Sequence, residues 1–182
     1  KNLKIAAGLA SLGVRPGDKV GTLLPSCMEL LMVMFGVAHL GATFVPISVR
    51  YRREELSQVI GHSDIQILIT TDRMRDYVDL SALVAELVGP WNSEGVREPT
   101  AEYPTLRRVL GIEVDPRYPT LTLQHLLDGR ETTAPPHQAR PDEVFAIIYT
   151  SGTTARPKGV LINHYALSEH AYVIGRDHFQ LS

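Results

Sequence analysis

The residues best placed to do chemistry lie in one short stretch: Tyr149-Thr150-Ser151-Gly152-Thr153-Thr154-Ala155-Arg156-Pro157-Lys158-Gly159-Val160. Four aliphatic hydroxyls, two glycines and one lysine are crowded between two apolar runs. A triphosphate is a compact polyanion and needs many donors converging on a small volume. Hydroxyls and backbone N–H groups can supply those donors, and glycine lets the chain come close to the ligand. Lys158 adds a full positive charge on a flexible stem, suited to phosphate oxygens. Pro157 restricts the backbone just before that lysine. The order Lys158-Gly159, followed by an apolar strand pattern, is not a Walker A loop, in which Gly-Lys-Ser/Thr opens a helix. Nor is it the Gly-x-Gly-x-x-Gly turn of dinucleotide folds. Hydroxyls and lysine must then do most of the binding, with little help from a helix dipole. The competing interpretation is a polar hairpin turn with no ligand.

The elements around this loop follow from periodicity. Residues 3–12 carry apolar positions at helical spacing and stop at Gly13. Arg15-Pro16-Gly17-Asp18 is turn chemistry, and residues 19–24 form a short strand. Ser26-x-x-Glu29 has the form of a capping box opening a helix over residues 27–40, which Gly41 ends. A second strand covers 43–47, a helix 53–62, a buried strand 65–70 and a further helix 72–88. Residues 89–104 are rich in Gly, Pro, Asn and Glu and are expected to be a surface excursion. Residues 106–112 are expected as a strand and 122–127 as a short helix. Residues 132–141, with three prolines, are expected as a linker or an extended crossing segment. Two strands, 144–149 and 159–163, flank the polar loop, and Asn163 caps a last helix running to about Phe179.

Strands alternating with helices at these lengths imply parallel pairing. The near-continuous apolar runs at 65–69 and 144–148 suit strands covered on both faces. The expected fold is α/β: a mostly parallel sheet flanked by helices, then a strand–loop–strand phosphate-binding hairpin and a helix. Residues 1–140 form an amino-terminal subdomain with an irregular excursion near 89–141, and residues 141–182 open the next one.

Composition narrows the function classes. The chain has 182 residues, 44% of them hydrophobic and 21% charged, with a formal net charge of -2. No basic surplus points to nucleic acid or an anionic membrane. The longest apolar stretch, residues 30–38, is far short of the ~20 residues that span a bilayer. The single cysteine, Cys27, excludes an internal disulfide and fits a cytoplasmic location. At the start of a helix Cys27 is either an activated thiolate or a small buried hydrophobe. His170, Asp177 and His178 do not share a helical turn, so no metal site is expected there. Arg50, Arg52 and Arg53 form a basic cluster that suits a solvated face better than a coenzyme A site.

Eight positions of the loop (Thr150, Ser151, Gly152, Thr153, Thr154, Pro157, Lys158 and Gly159) resemble the signature of the adenylate-forming superfamily. With each residue type near ~6% of usage, chance agreement is on the order of 10⁻¹⁰ per start site. That superfamily includes acyl- and aryl-CoA synthetases, adenylation domains of peptide synthetases and beetle luciferases. Residues 13–20, Leu24-Pro25-Ser26, residues 38–47, Arg53-Glu54-Glu55-Leu56 and the strand ending at Thr71-Asp72 resemble its early region. His164, six residues after Lys158, stands where the family usually has histidine; it either orders the loop or lines the site, or is structural at the head of the last helix. The resemblance is weak from about residue 89 to 141.

The resemblance implies an ATP-dependent ligase that joins a carboxylic acid to coenzyme A through an acyl-adenylate, with Mg²⁺ sharing the work on the phosphates. It implies Thr150, Ser151, Gly152, Thr153, Thr154, Lys158 and Gly159 as the nucleotide contacts, with Lys158 stabilising phosphate charge. Family members are about three times this length, and their later adenine, ribose and lysine motifs do not occur here. The chain, which does not begin with methionine, is expected to be the amino-terminal part of a longer parent. The alternatives are an adenylation domain loading a carrier protein and an inactive folded fragment. The oligomeric state and the acyl substrate are not legible.

The family usually has glycine where this chain has Ala155. Alanine resists positive φ by roughly 1 kcal/mol, so either the loop avoids that conformation or phosphate binding is weakened. Ala155→Gly is expected to preserve or raise the ATP affinity of the parent enzyme; a clear loss by calorimetry would remove the concern over alanine.

Overall fold

The computed structural model of the protein describes residues 2–128, 136–150 and 157–179. Six helices and six strands alternate through these residues: α1 (Asn2–Ser11), β1 (Lys19–Leu23), α2 (Met28–His39), β2 (Thr43–Pro46), α3 (Arg53–Ser63), β3 (Ile67–Thr71), α4 (Leu80–Val88), β4 (Arg108–Ile112), α5 (Leu123–Asp128), β5 (Val144–Thr150), β6 (Lys158–Asn163) and α6 (His164–Asp177). The strands form one sheet in the order β4-β3-β1-β2-β5-β6. Every pairing is parallel except β5 with β6, which is antiparallel. The α/β architecture expected from the sequence is therefore the observed one.

Alternation along the strands divides the core into two layers. On one face Val20, Ile67, Ile69, Leu110 and Phe145 meet Ile5 and Leu9 of α1, Val33 and Val37 of α2, and Leu123 and Leu126 of α5. On the other face Leu23, Val45, Leu68, Val109, Ile147 and Tyr149 meet Leu56, Val59 and Ile60 of α3 and Leu80, Val84 and Val88 of α4. All five residues of β3 are buried, as the continuous apolar run required. Gly13 and Gly41 end α1 and α2 in the left-handed region, at φ 94° and 67°.

Four local expectations are corrected. The Ser26/Glu29 capping box does not form: Cys27 is the N-cap of α2 and makes no side-chain cap bond. Glu29 is engaged elsewhere, because Arg73 donates to both its carboxylate oxygens at 2.8 and 3.0 Å and to Glu113 at 2.6 Å. The helix expected from residue 72 starts only at Leu80. Asp72 instead accepts from the backbone N–H groups of Ser81 (3.1 Å) and Asp115 (2.7 Å), and Asp79 caps α4 by accepting from Ala82 N at 2.9 Å. Aspartates that capture backbone donors compete with helix formation, so the chain turns between them. Arg75 and Arg117 then close on Asp115 and Asp79.

The third correction concerns residues 89–104, which are not wholly a surface excursion. Arg97 is only 4% exposed. Its guanidinium donates to Val88 O (3.0 and 2.6 Å) and Leu106 O (2.6 Å), satisfying the free carbonyl at the end of α4. The fourth concerns β5, which is covered on both faces only in its first half. Ile148 is 44% exposed, and Val160 and Leu161 on β6 are also exposed. No residue of α6 is buried. Among the described residues no helix is long and apolar enough to cross a membrane.

Two stability predictions follow from these contacts. Arg97→Met leaves the Val88 and Leu106 carbonyls unsatisfied and is expected to cost about 2–3 kcal/mol in urea denaturation; an unchanged midpoint would show that water replaces the guanidinium. The hydrogen bonds from Arg73 hold the Glu29 carboxyl well below its ordinary 4.5, at about 2. Because the folded value is depressed, this pair stabilises fully above about pH 4.5 and loses its contribution as pH falls towards about 2. The stability gap between wild type and Glu29→Gln should therefore narrow across that window, and a pH-independent gap would contradict the pairing.

Candidate functional site

The polar loop is carried by β5 and β6, whose apolar residues continue the sheet and whose ends must return to each other. Register pairs run from Ala146↔Ile162 through Tyr149↔Gly159 to Thr150↔Lys158. The last described residue before the loop and the lysine after it are thus cross-strand neighbours. Both are exposed, so hydroxyl and ammonium stand at the loop's mouth rather than in the core. Pro157 leads into β6 from outside the sheet, where its missing N–H costs no ladder bond. Ser151, Gly152, Thr153 and Thr154, with Ala155 and Arg156, lie outside the described residues.

Gly159 has a steric reason to be glycine. A Cβ there would stand 3.0 Å from Ile147 Cγ2 and 3.2 Å from Tyr149 Cζ, close enough that these side chains would have to give way by a few tenths of an ångström. The Tyr149 ring lies over that position and is buried. Its hydroxyl is 2.8 Å from His62 Nδ1, and the two rings meet edge to face with centroids 5.9 Å apart. The Tyr149 carbonyl accepts a hydrogen bond from the Tyr51 hydroxyl at 3.2 Å. Burial, then the Asp64 carboxylate, pushes the Tyr149 phenol pKa up; burial, then Glu55, does the same for Tyr51. Both phenols keep their protons at neutral pH, and Tyr149 can donate to His62 in the tautomer protonated at Nε2.

Sequence reasoning did not single out Tyr51 or His62, and took Tyr149 only as the first residue of the loop segment. The available signal was a tyrosine ending an apolar strand run, since a buried phenol almost always has a polar partner.

Other candidates are placed as follows. His164 begins α6, packed edge-on against Phe145 with ring centroids 5.4 Å apart, and its N–H donates to Glu143 O; this is the structural alternative. Asn163 caps α6 as expected, accepting from Ala166 N at 2.7 Å. Burial raises the Cys27 thiol pKa, which disfavours an activated thiolate. Arg53 pairs with Glu86 at 2.8 Å on the surface. With Arg50, Arg52, Tyr51, Met74 and Tyr77 it edges an open cavity of about 500 Å³. Among the described residues no group of three His, Cys, Asp or Glu side chains converges as a metal site would require.

Comparison with known proteins bears on this arrangement. A crotonobetaine/carnitine–CoA ligase of Salmonella arizonae is 36% identical over 166 residues, covering 89% of this chain and 29% of the relative. A 4-coumarate–CoA ligase of Pinus taeda is 30% identical over 164 residues, covering 90% and 27%. The chain thus spans under a third of the length of these relatives. An anthranilate–CoA ligase solved with anthranoyl-AMP superposes with a TM-score of 0.80 over 97% of this chain and 30% of that one; at 23% identity the likeness is one of fold. A long-chain-fatty-acid–CoA ligase of Archaeoglobus fulgidus gives 0.71 at 26% identity, over 96% and 30%. The profile of the AMP-binding enzyme family matches residues 2–182, so the antiparallel pair, its hydroxyl-rich loop and the sheet beneath them are those of a chain that belongs to that family.

Proposed function

We propose that the chain is the amino-terminal part of an acid–CoA ligase, and that the loop between β5 and β6 holds the β- and γ-phosphates of ATP. The observation that carries this is the Thr150↔Lys158 register pair, which closes the loop on itself and puts a hydroxyl and an ammonium side by side at its mouth. The named relatives that share most of this chain are CoA ligases, which supports coenzyme A over a carrier protein as the acceptor.

In this reading a carboxylate oxygen attacks the α-phosphorus. The bond to the β-phosphate bridging oxygen breaks and pyrophosphate leaves; the thiol of coenzyme A then attacks the acyl carbon and AMP leaves. Lys158 stabilises the charge that grows on the departing pyrophosphate, an effect larger in the transition state than in bound ATP. Thr150, Ser151, Thr153 and Thr154 donate to phosphate oxygens, while Gly152 and Gly159 allow close approach. Holding the tail of the nucleotide keeps attacking and leaving oxygens in line. Mg²⁺, when bound with the nucleotide, supplies further charge neutralisation on the phosphates. No general base is needed, because the attacking acid is already ionised.

The same proposal includes a division of the chain, with residues 1–140 as one subdomain and 141–182 as the start of the next. The absence of buried residues on α6 supports it. A cytoplasmic location fits the lone, unpaired Cys27.

Lys158→Ala in the complete ligase is expected to lower ATP–pyrophosphate exchange by about 10²–10³-fold, the loss typical of removing one transition-state charge partner. Exchange at the wild-type rate would take Lys158 out of this role.

A further inference from the structure

We propose that Tyr149, gripped by Tyr51 and His62, is a positioning residue that fixes Thr150 and Lys158 at the mouth of the phosphate loop. This rests on the reading of that loop as a phosphate site and adds to it residues that never touch the ligand.

β5 is embedded in both core layers, but β6 is the edge of the described sheet, with Val160 and Leu161 exposed. An edge strand with so little cover can twist or slip against its partner, and a slip of one residue turns every side chain to the opposite face. Thr150 and Lys158 would then no longer share one side of the mouth. Something must hold the register at the open end.

Tyr149 sits where such a hold is needed. It directly precedes Thr150, and its cross-strand partner Gly159 directly follows Lys158. Its ring covers Gly159 so closely that a methyl group there would meet it at 3.2 Å, which ties the two strands in one register. Its phenol reaches His62 and its carbonyl is reached by Tyr51. Tyr51 lies two residues before α3 and His62 is in the last turn of that helix. Between them Leu56, Val59 and Ile60 are buried to within 2% of full burial, so α3 is a rigid mount. The side-chain tip of Tyr149 is therefore tied to α3 and its backbone to the segment that leads into that helix. The polar bonds are directional, whereas the packing of the ring needs no hydroxyl. The hydroxyls can be removed while the ring stays in the core.

The test uses the complete ligase titrated with inorganic tripolyphosphate by calorimetry, together with amide hydrogen exchange. Tyr51→Phe and Tyr149→Phe are each expected to weaken tripolyphosphate binding about fivefold, the effect of one lost hydrogen bond. Amide exchange should quicken at Thr150, Lys158 and Gly159 while β1 and β3 keep wild-type rates, which a general loss of stability would not produce. Lys158→Ala serves as the reference for loss of the phosphate contact itself. If Lys158→Ala abolishes binding but both phenylalanine variants bind and exchange like wild type, the positioning role is overturned and the phosphate site stands. If the wild-type chain binds no better than Lys158→Ala, the phosphate reading fails and this inference fails with it.

Discussion

The arrangement depends on one constraint: a strand that belongs to a parallel sheet must hand the chain to a neighbour running the other way. Parallel strands are joined by long crossovers that carry the chain away from the strand end. The antiparallel return from β5 to β6 instead keeps both ends of a short polar loop together, with Thr150 opposite Lys158. The two-faced core beneath makes the mouth a fixed place, because β1, β2 and β3 are packed from both sides by α1, α2, α3 and α4.

How much of this was legible in the sequence varies with the kind of interaction. Elements defined by side-chain period were read nearly to the residue: α1 ending at Gly13, α2 at Gly41, the buried strand β3 and the Asn163 cap of α6. Elements decided by long-range polar contacts were misread. Asp72 looks like the start of a helix until Asp115, far along the chain, offers it a backbone N–H. Glu29 looks like half of a capping box until Arg73 takes its carboxylate. Arg97 looks like part of a solvated excursion because arginine is seldom buried, and only the bare carbonyl at the end of α4 explains why it is. For Asp72 and Glu29 the local pattern was sound and a partner remote in sequence overrode it, whereas the partners of Arg97 lie only nine residues away on either side.

The same division holds at the site. Hydroxyl, glycine and lysine types gathered in one loop are what the proposed phosphate site rests on, so its lining could be proposed from sequence. The support could not, since Tyr51 and His62 lie 98 and 87 residues from Tyr149 and share no motif with it. A ligand-binding loop advertises its chemistry in composition, but the means by which it is held is a property of the packed chain.

A small irregularity in β5 decides which helix can hold the loop. Strict alternation from Phe145, which faces α1 and α2, would send Ala146 to the opposite face and bring Ile147 and Tyr149 back to the side of Phe145. The pairing with β6 instead shifts register between Val144 and Ala146. Phe145 and Ala146 both join the first core layer, and Ile147 and Tyr149 are delivered to the layer containing α3. A bulge of one residue at the start of β5, at the end of the hairpin away from the loop, thus sets the facing of every residue beyond it. It is what brings the Tyr149 phenol to His62, and with it the loop's entry strand to the helix that anchors it.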